Sequence, residues 1–272
     1  MKRYMMMVLF ACCFSVQASE APALSDAEKA AELAKKLANP VSSLISLPLQ
    51  YNYDEGYGAE GDGSVSSLIV QPVIPFSMNE QWNLITRTIV PLVDREDIPV
   101  RGDSESGLGD ITASLFLSPK EPSAQGIIWG AGPVALLPSA TEEVLGSEQV
   151  GLGPTLVMLK QVGPWTAGFL GNHLWSVAGE DDRADVNATF LQPFSSYIFQ
   201  KTKTTVGINT ESTYDWEGEA WSVPVNASVA QLFKIGPQIM QLTLAARYWA
   251  ESPEGGPEDW GLRLQLTFLF PK

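Results

Sequence analysis

The sequence is poor in cysteine and in long apolar runs, and each shortage excludes a class of protein. Its only two cysteines, Cys12 and Cys13, lie within the first twenty residues. Once that segment is removed, the chain has no disulfide, no cysteine metal ligand and no thiol nucleophile. No later stretch approaches the ~18 consecutive apolar residues of a transmembrane helix, so a helical inner-membrane protein is excluded.

Positive charge is also scarce, with 17 lysines and arginines against 31 aspartates and glutamates, a formal net charge of −14. A nucleic-acid partner is excluded because phosphate binding requires a basic surface. The chain has one histidine, His173. With a single histidine and no cysteine left after the first segment, we expect no bound metal and no cofactor.

Residues 1–18 have the three parts of a secretory signal peptide. Two basic residues open the segment, a short apolar run follows, and a small-residue cleavage site ends at Ala18. The mature chain is therefore expected to begin at Ser19. A lipoprotein signal with Cys12 as the lipidated residue is the alternative, and the large side chain of Phe10 argues against it.

Apolar residues recur at every second position after Pro40, which is the pattern of strands with one apolar face. Twelve such segments follow one another, each about as long as the ~9–11 residues with which a tilted strand crosses a bilayer. The predicted strands are 43–53, 65–76, 81–93, 109–118, 126–138, 150–161, 164–178, 186–199, 203–214, 220–233, 238–250 and 260–270. The sequence therefore predicts an all-β protein, a twelve-stranded antiparallel transmembrane β-barrel over residues 41–272.

The predicted connections alternate strictly between long and short links. The long links carry 23 of the 31 acidic residues, and they are 54–64, 94–108, 139–149, 179–185, 215–219 and 251–259. Outer-membrane barrels have short periplasmic turns and longer external loops. We therefore expect the Gram-negative outer membrane as the location, with an acidic external end, both termini periplasmic, and membrane lipid and lipopolysaccharide as partners. The oligomeric state is not indicated.

Aromatic residues are concentrated near both predicted ends of the strands, as in the interfacial girdles of membrane barrels. The group near the long links comprises Tyr51, Tyr53, Trp175, Trp216, Trp221, Tyr248, Trp249 and Trp260. The group near the short links comprises Phe76, Trp82, Trp129, Trp165, Tyr197, Phe199 and Phe270.

Residues 19–40 are predicted to form a separate helical segment before the barrel. Ser25-Asp26-Ala27-Glu28 matches a capping box, and Asn39-Pro40 ends the helix, which is expected over 25–38. Two positions are open for it, a partial plug inside the lumen or a site in the periplasm.

Prolines inside the predicted strands conflict with a regular closed wall, because proline lacks the N–H group that a ladder needs. They are Pro72, Pro91, Pro133, Pro154, Pro193 and Pro224. We expect bulges or kinks at these positions. An irregular wall that opens laterally to the membrane is the alternative.

Several short motifs along the strands carry a resemblance to a known family. They include Gln71-Pro72-Val73-Ile74-Pro75-Phe76, Trp82-Asn83-Leu84-Ile85-Thr86-Arg87, Gly107-Leu108-Gly109-Asp110, Trp129-Gly130-Ala131-Gly132-Pro133 and Asn172-His173-Leu174-Trp175-Ser176. With these motifs the chain resembles bacterial outer-membrane barrels grouped as proposed transporters of the phenol meta-cleavage pathway, sometimes mislabelled as neuromedin U. The resemblance implies transport linked to aromatic degradation, and it supplies no catalytic or binding residues.

Polar residues on the faces opposite the apolar rows are expected to line the lumen and to set its selectivity, because charges at membrane depth require a wet interior. They are Arg87, Asp110, Asn172, Asn209, Glu211, Arg247 and Arg263. A last hairpin centred on Gly255-Gly256 places Arg247 almost opposite Arg263. These two arginines either pair with lumen carboxylates such as Glu211 as structural groups, or form a selectivity ring for small anionic or aromatic solutes.

Catalysis is not expected. Outer-membrane phospholipases are also twelve-stranded and need a histidine and a serine two positions apart on one strand face. Trp175 occupies that position after His173, and Ser176 faces the other side. The sequence therefore predicts a passive channel for small, hydrophobic or aromatic solutes. The alternatives are a structural or surface-interaction barrel without transport and, less favoured, a lipid-modifying enzyme.

Overall fold

The computed structural model of the chain describes residues 26–271, so the predicted signal peptide lies outside the described residues. The described chain has one α-helix, α1 (Asp26–Leu37), one 3-10 turn (Glu143–Leu145) and fifteen strand segments. No helix in this range is long and apolar enough to cross a membrane. The segments are β1 (Ile45–Tyr57), β2 (Gly63–Val70), β3 (Val73–Ser77), β4 (Trp82–Glu96), β5 (Ser104–Leu108), β6 (Ile111–Pro119), β7 (Ile127–Leu137), β8 (Gln149–Val162), β9 (Trp165–Gly179), β10 (Asn187–Phe199), β11 (Thr204–Thr210), β12 (Ser212–Asp215), β13 (Ala220–Ile235), β14 (Gln238–Glu251) and β15 (Trp260–Phe270).

The fifteen segments form the twelve strands of one closed antiparallel barrel, so the predicted fold class is confirmed. β2 with β3, β5 with β6, and β11 with β12 are each one wall strand with a short interruption. Each wall strand pairs with its neighbour in the chain, and β1 pairs with β15 from Ile45–Phe270 to Tyr53–Leu262, which closes the wall. Closure leaves no edge strand, so the backbone groups of the wall find partners without water.

The period of two in the sequence sorts the side chains between the two faces of this wall. In β15, Leu262 and Leu264 on the outer face are 52% and 41% exposed, whereas Arg263 and Thr267 on the inner face are 6% and 0% exposed. Such a continuous exposed apolar surface suits a lipid environment and is far larger than monomeric soluble proteins carry.

Prolines account for the three interruptions of the wall strands. Pro72 itself lies between β2 and β3. Pro91 lies opposite the break between β5 and β6, where the N–H group of Gly109 donates to its carbonyl group over 2.9 Å. Pro224 lies opposite the break at Glu211, beside a register shift in β13. The predicted bulges and kinks are therefore present at these three prolines.

Two further prolines face each other across one ladder. Pro133 of β7 pairs with Pro154 of β8, and pairing lapses on both flanks of this pair, at 115–116 of β6 and at 173–174 of β9. At this position of an antiparallel ladder, the backbone nitrogens of both residues point away from the partner strand. The two prolines therefore remove no hydrogen bond between β7 and β8. Pro193 pairs with Phe169 of β9 in an unbroken ladder, but on its other side pairing lapses at 192–193, opposite the break between β11 and β12.

The links at the two ends of the barrel differ less in length than the strict alternation predicted. The strands extend into the predicted long links, so 54–64 shrinks to 58–62, and the four-residue link 216–219 is shorter than the seven-residue turn 120–126. Strand pairing continues past the predicted strand ends, because acidic side chains are compatible with a strand that is exposed to water. The end of the barrel where β1 begins and β15 finishes is the turn end, and the opposite end is the loop end.

The helix α1 packs against inward-facing side chains at the turn end. Ala34 is 3% exposed and lies in a cluster with Ile198, Leu232 and Leu269 from three strands. The side chain of Gln161 donates to the carbonyl group of Lys35 over 2.9 Å, which satisfies one free acceptor of the last helical turn. The helix and the segment after it therefore occupy part of the barrel interior.

A second apolar cluster lies on the other side of the interior. It comprises Val41, Ile85, Phe116, Val157, Leu159 and Leu170. Val41 belongs to the segment that joins α1 to β1. Apolar contacts therefore anchor both this segment and α1.

Candidate functional site in the lumen

A chamber of about 450 Å³ lies between the end of α1 and the wall. Leu37 and Pro40 bound it on the helix side. Polar side chains from the wall line much of the remainder, and they include Gln50, Gln71, Arg87, Asn209, Glu211 and Arg263. The volume falls within the range of about 300–1,000 Å³ that small-molecule sites occupy.

The centre of the charged part of the lumen is the carboxylate of Glu211. Arg263 donates from Nη1 to Oε1 over 2.8 Å and from Nη2 to Oε2 over 2.6 Å. Nη1 of Arg247 lies 3.6 Å from Oε2 of the same carboxylate. The bidentate pair with Arg263 is the stronger contact, because both of its hydrogen bonds are charge-assisted and parallel.

Asp54 provides the second carboxylate of this group. Its Oδ1 lies 3.1 Å from Nε of Arg247 without hydrogen-bond geometry, so that contact is an ion pair only. The same Oδ1 accepts a hydrogen bond of 2.8 Å from Nε1 of Trp249. The guanidinium group of Arg247 also lies over the Trp249 ring, 4.8 Å from its centroid, in a cation–π contact.

A chain of amide side chains connects this charged group to Arg87. Nη2 of Arg87 donates to Oε1 of Gln71 over 2.9 Å, and Nε2 of Gln71 lies 3.5 Å from Oε1 of Gln50. Nε2 of Gln50 donates to Oδ1 of Asn52 over 3.3 Å, and that oxygen also accepts from Nε of Arg263 over 2.7 Å. The network fixes the orientation of each amide, which makes the polar wall rigid.

The structure brings five of the seven predicted lumen residues together. Arg87, Asn209, Glu211 and Arg263 line the chamber, and Arg247 joins them through its ion pairs. Asn209 also accepts a hydrogen bond of 2.9 Å from Asn226.

The other two predicted lumen residues lie elsewhere. Asn172 pairs with Thr155 and Phe190 in its ladders and does not line this chamber. Asp110 holds the link 138–148: its carboxylate accepts from the N–H groups of Ser139, Ala140 and Ser147 and from the hydroxyl group of Ser147. Its role is therefore to shape this link.

Arg183, in the link between β9 and β10, and Arg95 of β4 hold the same link. Arg183 donates to the carbonyl groups of Glu143 and Gly146 over 2.8 Å and 2.7 Å, and Arg95 donates to that of Val144 over 2.6 Å. The link is thus fastened at several points instead of extending freely from the loop end.

The predicted register of the last hairpin is wrong by two residues. Arg247 pairs with Gly261, and Arg263 pairs with Ala245, so the two arginines are diagonal neighbours on the inner face. The hairpin is not centred on its two glycines, because its link rests on the end of β1 and the residue after it. The N–H group of Gly58 donates to the carbonyl group of Gly255, and the N–H group of Glu258 donates to that of Glu55. Link geometry sets the register of a hairpin.

Sequence reasoning missed Gln50, Asn52, Asp54, Gln71 and Trp249 as members of the site. Asp54 continues the inward row of β1 that includes Gln50 and Asn52, so the period of two was a usable signal for it. Gln71 had no such signal because it lies in the break before Pro72. Trp249 was expected in the aromatic girdle, and its inward contact with Asp54 corrects that expectation.

The other girdle residues lie on the outer face at both ends. Tyr248 packs on Trp260 and Tyr214 packs on Trp216 at the loop end, while Trp165 packs on Tyr197 at the turn end. The last two pairs are edge-to-face, a preferred geometry of aromatic rings, and the rings of Tyr248 and Trp260 are tilted by 52°.

His173 also lies on the outer face, within this aromatic group. Its Nδ1 is 2.7 Å from Oγ1 of Thr189, a hydroxyl group that also accepts a hydrogen bond of 2.9 Å from Trp216. The adjacent strand thus supplies a hydroxyl group that sequence spacing did not indicate. Nε2 of His173 is buried and has no hydrogen-bond partner within the described chain, so the contact with Thr189 is the hydrogen bond that orients the ring.

Metal-ligating residues do not cluster in the part of the chain that the structure describes, where no group of three or more histidines, cysteines, aspartates or glutamates is placed to hold an ion.

Comparison with known proteins gives matches to solved structures alone. No protein-family model matches the chain, and a search of curated proteins found no match. An outer membrane channel from Pseudomonas putida F1 matches with a TM-score of 0.65 at 16% identity, over 84% of this chain and 96% of that one. The β domain of the Bordetella autotransporter BrkA matches with a TM-score of 0.45 at 11% identity, over 84% of this chain and 100% of that one. The likeness to the channel shows that this chain has the fold of an outer-membrane β-barrel.

Proposed function

We propose that the protein is a channel in the outer membrane of a Gram-negative bacterium, through which small solutes pass without an energy source. The observation that carries the proposal is the division of the wall between an apolar outer face and a charged, amide-lined interior around a chamber of about 450 Å³. Charged side chains at membrane depth are costly to desolvate unless they face a wet interior, so these arginines favour a water-filled lumen.

The comparison with solved structures supports this proposal. The matched protein from Pseudomonas putida F1 is an outer membrane channel, and the overlay covers most of both chains. The outer girdles of aromatic residues support a membrane location as well, because Trp and Tyr prefer the boundary between lipid and water.

We further propose that the solutes include small hydrophobic or aromatic molecules. Apolar side chains form part of the chamber wall next to the amides, among them Ile89, Leu170 and Phe190. The resemblance to barrels linked with aromatic degradation supports the same class. The cluster of charges alone would favour polar solutes, so the mixed lining supports molecules with one apolar and one polar end.

Liposome swelling tests the channel directly. Purified protein that has a gel mobility difference between unheated and boiled samples is reconstituted into liposomes, and swelling is recorded in isosmotic solutions of small solutes. We expect swelling with solutes that fit the chamber and none with boiled protein. A folded preparation that gives no swelling with any small solute would favour a structural or surface-interaction barrel. Growth of a deletion strain on a series of aromatic carbon sources then tests the solute class.

The proposed function includes no catalysis. A purified preparation is expected to release no fatty acid from phospholipid vesicles, with or without Ca²⁺. Release that disappears in a His173→Ala variant would instead assign a lipid-modifying activity to the outer face.

A further inference from the structure

The chamber contains one guanidinium group that has no carboxylate partner. Three arginines, Arg87, Arg247 and Arg263, face two carboxylates, Asp54 and Glu211. Arg247 and Arg263 take both carboxylates, whereas Arg87 has no carboxylate oxygen within 4.0 Å in residues 26–271. The group therefore carries one positive charge more than its acids balance, and that charge is on Arg87.

Most of the guanidinium N–H donors of Arg87 make no hydrogen bond to the described chain. Its Nη2 donates to the neutral Oε1 of Gln71 over 2.9 Å. Gln71 is oriented in turn by Gln50, since its Nε2 points to Oε1 of that residue. A guanidinium group has five N–H donors in a plane, and one bond to an amide holds it while the other donors remain for a ligand.

An apolar surface lies beside this cation in the same chamber. Ile89, two positions after Arg87 on the inner face of β4, lines it together with Leu170 and Phe190. Leu170 is 2% exposed within the second apolar cluster, and Phe190 packs against that cluster. This surface is therefore backed by core packing and is held in place.

We propose that the chamber binds a small monocarboxylate with an apolar body, which rests on the proposed channel function for its route of entry. The carboxylate accepts two parallel hydrogen bonds from Arg87, the geometry that guanidinium and carboxylate groups favour. The apolar body lies against Ile89, Leu170 and Phe190. A dicarboxylate is disfavoured because the second anion meets the carboxylate of Glu211.

The proposal gives selectivity to Arg87 and a structural role to Arg247 and Arg263. The two paired arginines are neutralised by acids at 2.6–3.6 Å, so they add little net field for a passing anion. This assignment departs from the selectivity ring of Arg247 and Arg263 that the sequence suggested as one alternative.

Calorimetry on the purified barrel in detergent tests the site. Benzoate and cyclohexanecarboxylate are titrated beside their neutral counterparts, benzyl alcohol and cyclohexylmethanol. We expect both carboxylates to bind at least about tenfold more tightly than the alcohols, since each tenfold corresponds to ~1.4 kcal/mol and charge-assisted pairs exceed that amount. Equal binding of acids and alcohols by the native protein would overturn the proposal without use of any variant.

Variants of Arg87 locate the interaction. Arg87→Gln should remove the preference for carboxylates, and Arg87→Lys should retain part of it as a charge without the fork. Arg101→Gln is the matched control, because Arg101 is 83% exposed in a loop and contacts only Asp62 at 3.5 Å. Unchanged carboxylate affinity in a folded Arg87→Gln barrel, judged by gel mobility, would also overturn the proposal.

The failure of the site and the failure of the channel are distinguishable. Swelling with neutral solutes together with equal binding of acids and alcohols would leave the channel and remove the carboxylate site. Preferential binding of benzoate in detergent by a barrel that passes no solute would keep the site and remove the channel.

Discussion

The guanidinium group of Arg263 donates to both carboxylate oxygens of Glu211, over 2.8 Å and 2.6 Å, from a strand on the far side of β13 and β14. Glu211 stands where the wall strand formed by β11 and β12 is interrupted opposite Pro224. One carboxylate therefore connects three parts of the wall, because Arg247 of β14 also lies 3.6 Å from it.

Replacement of this carboxylate should destabilise the barrel. Glu211→Gln leaves Arg263, 6% exposed, and Arg247, 8% exposed, without their shared acid. Loss of one partner of a buried ion pair costs about 3–5 kcal/mol, so we expect the free energy of unfolding in urea to fall by about 3 kcal/mol.

The control for Glu211 is an acidic residue without partners in the wall. Glu121 lies in the exposed turn 120–126. Glu121→Gln should therefore change the free energy of unfolding by less than about 0.5 kcal/mol. An equal, small effect of the two substitutions would contradict the role given to Glu211.

Displacement of α1 should widen the path through the barrel. Ala34 is 3% exposed against Ile198, Leu232 and Leu269, so Ala34→Glu places a charge into an apolar contact. We expect the helix to leave this position and single-channel conductance to rise in planar bilayers.

Lys29→Glu is the matched control for the helix, because it adds negative charge at an exposed position of the same element. Its conductance should equal that of the native protein. If Ala34→Glu also left the conductance unchanged while the barrel remained folded, α1 would not limit the path.

The link 138–148 should become accessible to protease when Asp110 is replaced. Asp110 accepts four hydrogen bonds from this link, and Asp110→Ala removes all of them. We expect cleavage after Glu142 or Glu143 by a glutamate-specific protease to accelerate about tenfold or more, because local opening governs such cleavage. Asp103→Ala, in another exposed link, should leave the rate unchanged; equal rates in both variants would refute the anchoring role.

Gly153, next to the facing prolines Pro133 and Pro154, has no room for a side chain. A Cβ atom on Gly153 would overlap the carbonyl oxygen of His173, because β8 and β9 approach closely where their pairing lapses beside Pro154. Gly153→Ala should therefore lower the free energy of unfolding by about 1–3 kcal/mol or prevent assembly.

Gly207→Ala provides the comparison within another strand. Its Cβ atom would first meet Oγ of Ser228 at 3.0 Å, a side-chain atom that can move aside. This variant should assemble and lose less stability in the same urea titration. A Gly153→Ala barrel as stable as the native one would show that the backbone of β9 yields at low cost.

The outer position of His173 predicts a structural effect alone. His173→Ala removes the contact with Thr189 and the ring contact with Trp175, whose centroid is 4.0 Å away. We expect a loss of about 1 kcal/mol in stability and unchanged liposome swelling. Reduced swelling in a fully folded His173→Ala preparation would place this residue on the solute path.

The sequence by itself determined the wall. Alternation in β15 separates Leu262 and Leu264 from Arg263 whatever the neighbours are, because successive side chains of a strand point to opposite faces. Twelve segments of that kind predicted the strand number and the inward position of Arg87, Asn209, Glu211, Arg247 and Arg263. Strand ends were less predictable, since acidic residues near the loop end are compatible with either a strand or a link.

Only the tertiary structure decided which charges meet. Asn52 and Arg263 are 211 positions apart and touch because β1 and β15 close the barrel. Asp54 belongs to β1 and not to the predicted link 54–64, and the register of the last hairpin depends on how its link rests on β1. Pairing inside a closed wall depends on curvature and stagger, which no local pattern of residues records. Local periodicity therefore orients a side chain toward the lumen, and barrel closure selects its partner.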